Sequence, residues 1–132
     1  MEDSEVYPRI GDEGFTRLVA AFYRQIPEDP ILGPMYKGDF AGAEARLRGF
    51  LIYRFGGPQH YIEQRGHPRL RMRHAPFPVD GIARDHWLRL MHAALEESQL
   101  PREVRDLLWN FFDSTARFLM NRPDVAGIAP QT

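Results

Sequence analysis

The amino-acid sequence predicts an all-α fold, and three features carry that prediction. Four stretches place large apolar residues three and four apart, the repeat of a helix with one buried face. No stretch alternates apolar and polar residues as a half-buried strand would. Prolines punctuate the connections between the four stretches. At 132 residues the chain suits one domain with a single core. Residues 1–11 read as an N-terminal lead-in and residues 124–132 as a loose C-terminal tail.

The first helix is predicted from about Glu13 to Gln25, with Asp12 as its N-cap. Phe15, Leu18, Val19 and Phe22 form its buried face, Tyr23 lies at that face's edge, and Pro27 ends it. Residues 27–39 hold three prolines and two glycines, so they read as a loop with one short helical turn, held to the core by Ile31, Leu32, Met35 and Tyr36. A second helix runs from about Ala41 to Phe55, with Ala43, Leu47, Phe50, Leu51 and Arg54 on one face. Gly56-Gly57-Pro58 stops it, glycine for a left-handed cap and proline against continuation. Residues 59–77 form a long irregular connection, a length that in a compact domain points to function. The third helix begins at Asp80, a good cap, and continues to about Ser98. Ala83, Trp87, Leu90, Met91 and Ala94 line one side of it and Leu88 and Leu95 another, which predicts a central position. The fourth helix takes Pro101 in its first turn and reaches about Asn121, with Val104, Leu107, Leu108, Phe111, Phe112, Thr115, Phe118 and Leu119 as a broad apolar face.

Composition excludes several functional classes. There is no cysteine, which removes disulfides, thiolate catalysis and cysteine-ligated zinc or iron–sulfur sites. The formal net charge of -1 gives no basic field for nucleic acid. No apolar run reaches the roughly 18 residues of a membrane span, and the acidic N-terminus has no signal-peptide core, so a cytoplasmic protein is expected. Of the 17 basic side chains all but Lys37 are arginine, the residue whose planar fork grips carboxylate or phosphate.

The richest stretch is Arg65–Phe77, RGHPRLRMRHAPF, with four arginines and two histidines in thirteen residues. His74 sits between Met72 and the apolar Ala75-Pro76-Phe77, surroundings that suit a neutral imidazole offered to a metal, such as an axial haem ligand. Arg69, Arg71 and Arg73 then pair with two carboxylates, as at the propionate edge of haem. A solvated arginine face remains the plain alternative. His60, His86 and His92 read as solvated or half-buried. Tyr23, Tyr36 and Trp87 carry polar handles on apolar elements, and buried handles need partners. Each alone reads as a core aromatic; together they can supply donors to an iron-bound ligand.

From Gly11 to Asn121 the chain resembles the group II truncated haemoglobins, the small bacterial two-on-two globins. The resemblance rests on Ala41-Gly-Ala-Glu-Ala-Arg-Leu47, Gly56-Gly-Pro58, the run Gln64–Phe77 and Arg84-Asp-His-Trp-Leu88. It implies a truncated globin fold. The B, E, G and H helices form two crossing pairs around haem b, and the proximal helix is reduced to about one turn. It implies His74 as the metal ligand, Tyr23, Tyr36 and Trp87 as distal ligand-stabilising residues, and Ala43 and Leu47 as distal pocket lining. Arg46, Tyr61, His67 and Arg73 match positions near the haem propionates. The sequence departs from the family where a Gly-Gly pair is common between the first two helices, since Gly11-Asp-Glu-Gly14 stands there and the first helix is almost absent.

The implied function is reversible binding of O2, or of NO, CO or peroxide. Hydrogen bonds to charged acceptors contribute roughly 1.5–3 kcal/mol, so Tyr23 and Trp87 together slow O2 release by roughly one to three orders of magnitude. That suits scavenging, sensing or redox chemistry better than oxygen transport. A haem oxidoreductase, an NO dioxygenase or peroxidase-like enzyme served by a reductase, is the alternative. A haem-free all-α module gripping an acidic partner through Arg65–Arg73 is a further one. Nucleic acid and membrane are not expected as partners, and either a monomer or a homodimer fits.

Overall fold

The computed structural model of the chain describes residues 1–59 and 80–120. Among them the only regular structure is helical, in four main helices: α1 (Val6–Gln25), α2 (Phe40–Arg54), α3 (Gly81–Ser98) and α4 (Arg102–Phe118). Short 3-10 turns cover Asp3–Glu5, Ile26–Glu28 and Gly33–Tyr36.

Helix α1 packs against both α2 and α3, and α3 against α4. This gives one pair, α1 with α2, laid on a second, α3 with α4. Phe15, Leu18, Val19 and Phe22 of α1 are fully buried with Leu51 and Phe55, Met91, and Val104 and Leu108. Each of those runs follows the helical spacing seen in the sequence. The side chain of Gln25 donates from Nε2 to the Leu90 carbonyl at 2.9 Å, which ties the end of α1 to the middle of α3.

The N-terminal segment corrects the expectation of a lead-in. Residues 1–11 are helical from Asp3, and Val6 is fully buried. The Tyr7 amide donates to the Phe55 carbonyl at 3.0 Å, so the segment caps the end of α2. Pro8 is tolerated because it lies in the first turn. The helix breaks at Gly11, whose φ of 65° belongs to the left-handed region that glycine enters without steric cost. Three residues later, a Cβ on Gly14 would lie 2.6 Å from the Ile10 Cβ. The separated glycines therefore do two jobs, one for backbone angle and one for close approach.

The caps follow simple chemistry. Asp39 accepts from the Gly42 amide at 3.1 Å and Asp80 from the Ala83 amide at 2.8 Å, each satisfying a donor in a first helical turn. Pro101 occupies the N-cap of α4, one residue before the expected first turn. Arg54, expected on the buried face of α2, keeps its head exposed: its guanidinium lies 5.1 Å from the Phe55 and Phe111 ring centres and pairs with Asp3 at 2.9 Å. Phe118, expected on the apolar face of α4, is 56% exposed. The proximal turn expected in 59–77 and the tail 124–132 lie outside the described residues, apart from Gln59.

Candidate functional site

Three elements bring the predicted distal residues together. Phe22 and Tyr23 are consecutive on α1, so their side chains leave the helix about 100° apart. Phe22 turns toward α3, where its ring lies 5.1 Å from that of Trp87. Tyr23 turns toward the 3-10 turn, with its ring 5.6 Å from Tyr36 and nearly perpendicular to it. Phe22 and Tyr23 themselves meet edge to face at 5.1 Å. Tyr36 continues the line to Phe40 at 6.1 Å, at the start of α2, and Trp87 continues it to Phe112 of α4 at 5.5 Å. The result is one aromatic wall, Phe40–Tyr36–Tyr23–Phe22–Trp87, whose separations are those of favourable aromatic pairs.

The polar handles on this wall differ in environment. The Tyr23 and Tyr36 side chains lie against each other, and each phenol feels the other. Burial, and after it Tyr36 nearby, pushes the Tyr23 hydroxyl far above the ordinary phenol range. Burial also raises Tyr36, against a smaller opposing effect from Tyr23 nearby. Both phenols therefore remain protonated at any physiological pH. Trp87 is half-buried, with its ring against those of Phe22 and Phe112.

Helix α2 supplies the small residue beside the wall. Ala43 is buried in its first turn, and Leu47, one turn on, is partly buried against the core. Arg46 lies on the same helix with its side chain 43% exposed, 3.4 Å from Asp39. Its positive charge is still felt at Tyr23, where it pulls the phenol downward. Arg46 therefore stands at the rim of the wall. His74, Tyr61, His67 and Arg73 lie outside the described residues, as does the Arg65–Phe77 stretch as a whole.

Two members of the arrangement were not read as site residues from the sequence. Phe22 bridges Tyr23 and Trp87; its place in the core was legible, but its bridging role needs the packing of α1 on α3. The other is Asp29. Its carboxylate is buried and accepts from the Ile31 and Leu32 amides at 2.9 and 2.8 Å and meets His86 Nδ1 at 2.8 Å. His86, expected to be solvated or half-buried, is half-buried through this contact.

The comparisons with known proteins agree with the geometry. The family model described as bacterial-like globin matches residues 5–121. A group 2 truncated haemoglobin of Bacillus subtilis is 36% identical over 118 residues, covering 89% of each chain. The haemoglobin of the thermophilic phototroph Chloroflexus aurantiacus superposes with a TM-score of 0.86 at 44% identity, covering 89% of this chain and 98% of that one. A truncated oxygen-avid haemoglobin from Bacillus subtilis superposes with a TM-score of 0.84 at 36% identity, covering 88% and 98%. Four helices stacked as two pairs, an aromatic wall with three polar handles and a match over nearly the whole length lead to one assignment: the chain belongs to the bacterial-like globin family, among the group II truncated haemoglobins.

Proposed function

We propose that this haem-based gas-binding protein retains its ligand rather than delivering it, with Tyr23, Tyr36 and Trp87 as hydrogen-bond donors and His74 as the iron ligand. Haem b is the cofactor of the family, and the described residues fit it. Met35, Tyr36, Phe40, Leu47 and Trp87 are large, apolar or aromatic, and only partly buried over a fully buried core. A surface of that kind suits one face of a flat apolar ring system. When bound, haem supplies the iron at which a diatomic gas such as O2, NO or CO is taken up. The chain supplies the surroundings.

The observation that carries this reading is the Tyr23–Tyr36 pair joined to Trp87 through Phe22. One buried phenol, one partly buried phenol and a half-buried indole stand along one wall, and a ligand that gains negative charge on binding is stabilised by such donors. The low-dielectric surroundings strengthen each bond. Ala43 beside the wall offers little steric obstruction, which favours entry of small ligands there. Strong retention suits scavenging, sensing or redox turnover with a reductase partner. The relative described as oxygen-avid is consistent with it. Arg46 at the rim, together with Tyr61, His67 and Arg73, is assigned to the propionates, and the whole forms a single globin domain.

The test combines ligation and retention. His74→Ala should abolish normal haem retention and the histidine-type five-coordinate spectrum; an intact spectrum would end the ligation assignment. Trp87→Phe should speed O2 dissociation roughly tenfold, the equivalent of one lost charge-assisted hydrogen bond. A change below about twofold would remove Trp87 from the donor set.

A further inference from the structure

We infer that Asp29 is a positioning residue for the distal donors, a buried carboxylate that clamps the turn carrying Tyr36 onto the helix carrying Trp87. The inference rests on the reading of Tyr36 as a ligand donor.

The observations start with burial. The Asp29 side chain is 3% exposed, and a carboxylate so placed is costly unless every lone pair is used. It is well used. Oδ1 accepts from the Ile31 and Leu32 amides. The Asp29 carbonyl accepts from the Gly33 amide at 2.9 Å, and the Leu32 carbonyl from the Met35 amide at 3.0 Å. The Tyr36 carbonyl in turn accepts from the Asp39 amide at 2.9 Å. Successive hydrogen bonds thus hold the segment from the Asp29 carboxylate to Met35, and the next residue, Tyr36, is tied on to the cap of α2. The carboxylate also faces α3, with His86 Nδ1 2.8 Å from Oδ2 and 3.1 Å from Oδ1 and Arg89 Nη2 3.5 Å from Oδ2.

His86 immediately precedes Trp87. Holding His86 against Asp29 sets the rotation and height of α3 relative to the Tyr36 turn, and so the separation between the two donors. A hydrogen bond to a small ligand weakens steeply at a poor angle and is lost once the partners stand beyond about 3.5 Å. Propensity alone does not supply such precision in a turn with two prolines, Pro30 and Pro34, and an adjacent left-handed residue, Lys37. The Arg24–Glu97 pair, at 2.9 Å, also joins α1 to α3, but both its side chains are more than half exposed and it touches neither donor, which makes it the natural control.

The experiment uses the haem-loaded protein with CO as the probe. A donor's positive end lowers the C–O stretching frequency, so the band reports the position of the donor rather than overall stability. Asp29→Asn keeps the shape of the side chain, and His86→Leu removes the contact from the other side. Both should shift the band upward or split it, and speed O2 dissociation by about fivefold, while Arg24→Ala leaves both readouts at wild-type values. Amide exchange at Leu32 and Asp39 should quicken in Asp29→Asn. In a Tyr36→Phe background the Asp29→Asn effect on the band should largely vanish, because the group being positioned is gone. If Tyr36→Phe shifts the band but Asp29→Asn and His86→Leu do not, the inference falls and the donor reading stands. If Tyr36→Phe itself leaves the band unmoved, the donor reading falls and the inference with it.

Discussion

Two aromatic assemblies in this molecule use the same material for different ends. The first joins the end of α2 to α1 and α4: Phe15 stacks on Phe55 at 6.3 Å, and Phe55 meets Phe111 edge to face at 5.0 Å. Phe15 and Phe55 are fully buried and carry no polar atom. The second, Phe40–Tyr36–Tyr23–Phe22–Trp87, has comparable spacings, but three of its five members have an O–H or N–H and two of those are only partly buried. Through Phe112 the two assemblies touch, since that ring lies 5.7 Å from Phe111 and 5.5 Å from Trp87. The contrast teaches that aromatic packing alone does not mark a site. What marks it is a polar handle retained where burial makes that handle expensive, next to apolar surface that the core leaves partly exposed.

The comparison breaks most visibly in the first assembly. Phe15→Ala removes a fully buried ring, and should cost about 3–5 kcal/mol of unfolding free energy in denaturant titration. The folded fraction should still release O2 at nearly the wild-type rate, because Phe15 touches no donor. A large change in release with unchanged stability would erase the distinction between core and wall. Tyr23→Phe should behave the opposite way. It keeps the ring and loses the hydroxyl, so stopped-flow dissociation of O2 should quicken roughly ten- to a hundredfold, while stability falls by only about 1 kcal/mol.

The smallest effect is in pH. The Tyr23 and Tyr36 phenols are raised by burial, so their folded values exceed the unfolded value of about 10. Their contribution to stability is therefore complete below about pH 10 and is lost as the pH climbs above that value toward the folded ones. Ligand release should be flat across neutral pH for the same reason. The alkaline fall in stability should be shallower in Tyr23→Phe than in the parent. An equal slope would mean that the phenol is no more protected in the folded state than in the unfolded chain.

Much of this was legible in the sequence. The faces Phe15–Leu18–Val19–Phe22 and Val104–Leu108–Phe112 declare their helices by spacing, and Asp80 declares a cap by chemistry. The segment Val6–Ile10 was not legible, because five residues are too few to establish a period and Pro8 and Gly11 look like loop signals. Its helical state is decided by the burial of Val6 and the bond from Tyr7 to Phe55. Arg54 counted as an inward position by periodicity, yet its long stem lets the guanidinium lie across two rings and stay wet.

The sequence by itself determined which residue types stand on the aromatic wall, since the helical repeat places Tyr23 and Trp87 on apolar faces, and the absence of cysteine removed thiolate metal ligands. Only the tertiary structure decided how those residues meet. The Asp29 carboxylate reaches His86 across 57 positions of chain, and Phe22 bridges to Trp87 across a helix contact. The physical reason is range: propensity, capping and periodicity act over a few residues, whereas the spacing of hydrogen-bond donors is set by how packed helices and one buried charge hold distant segments in register.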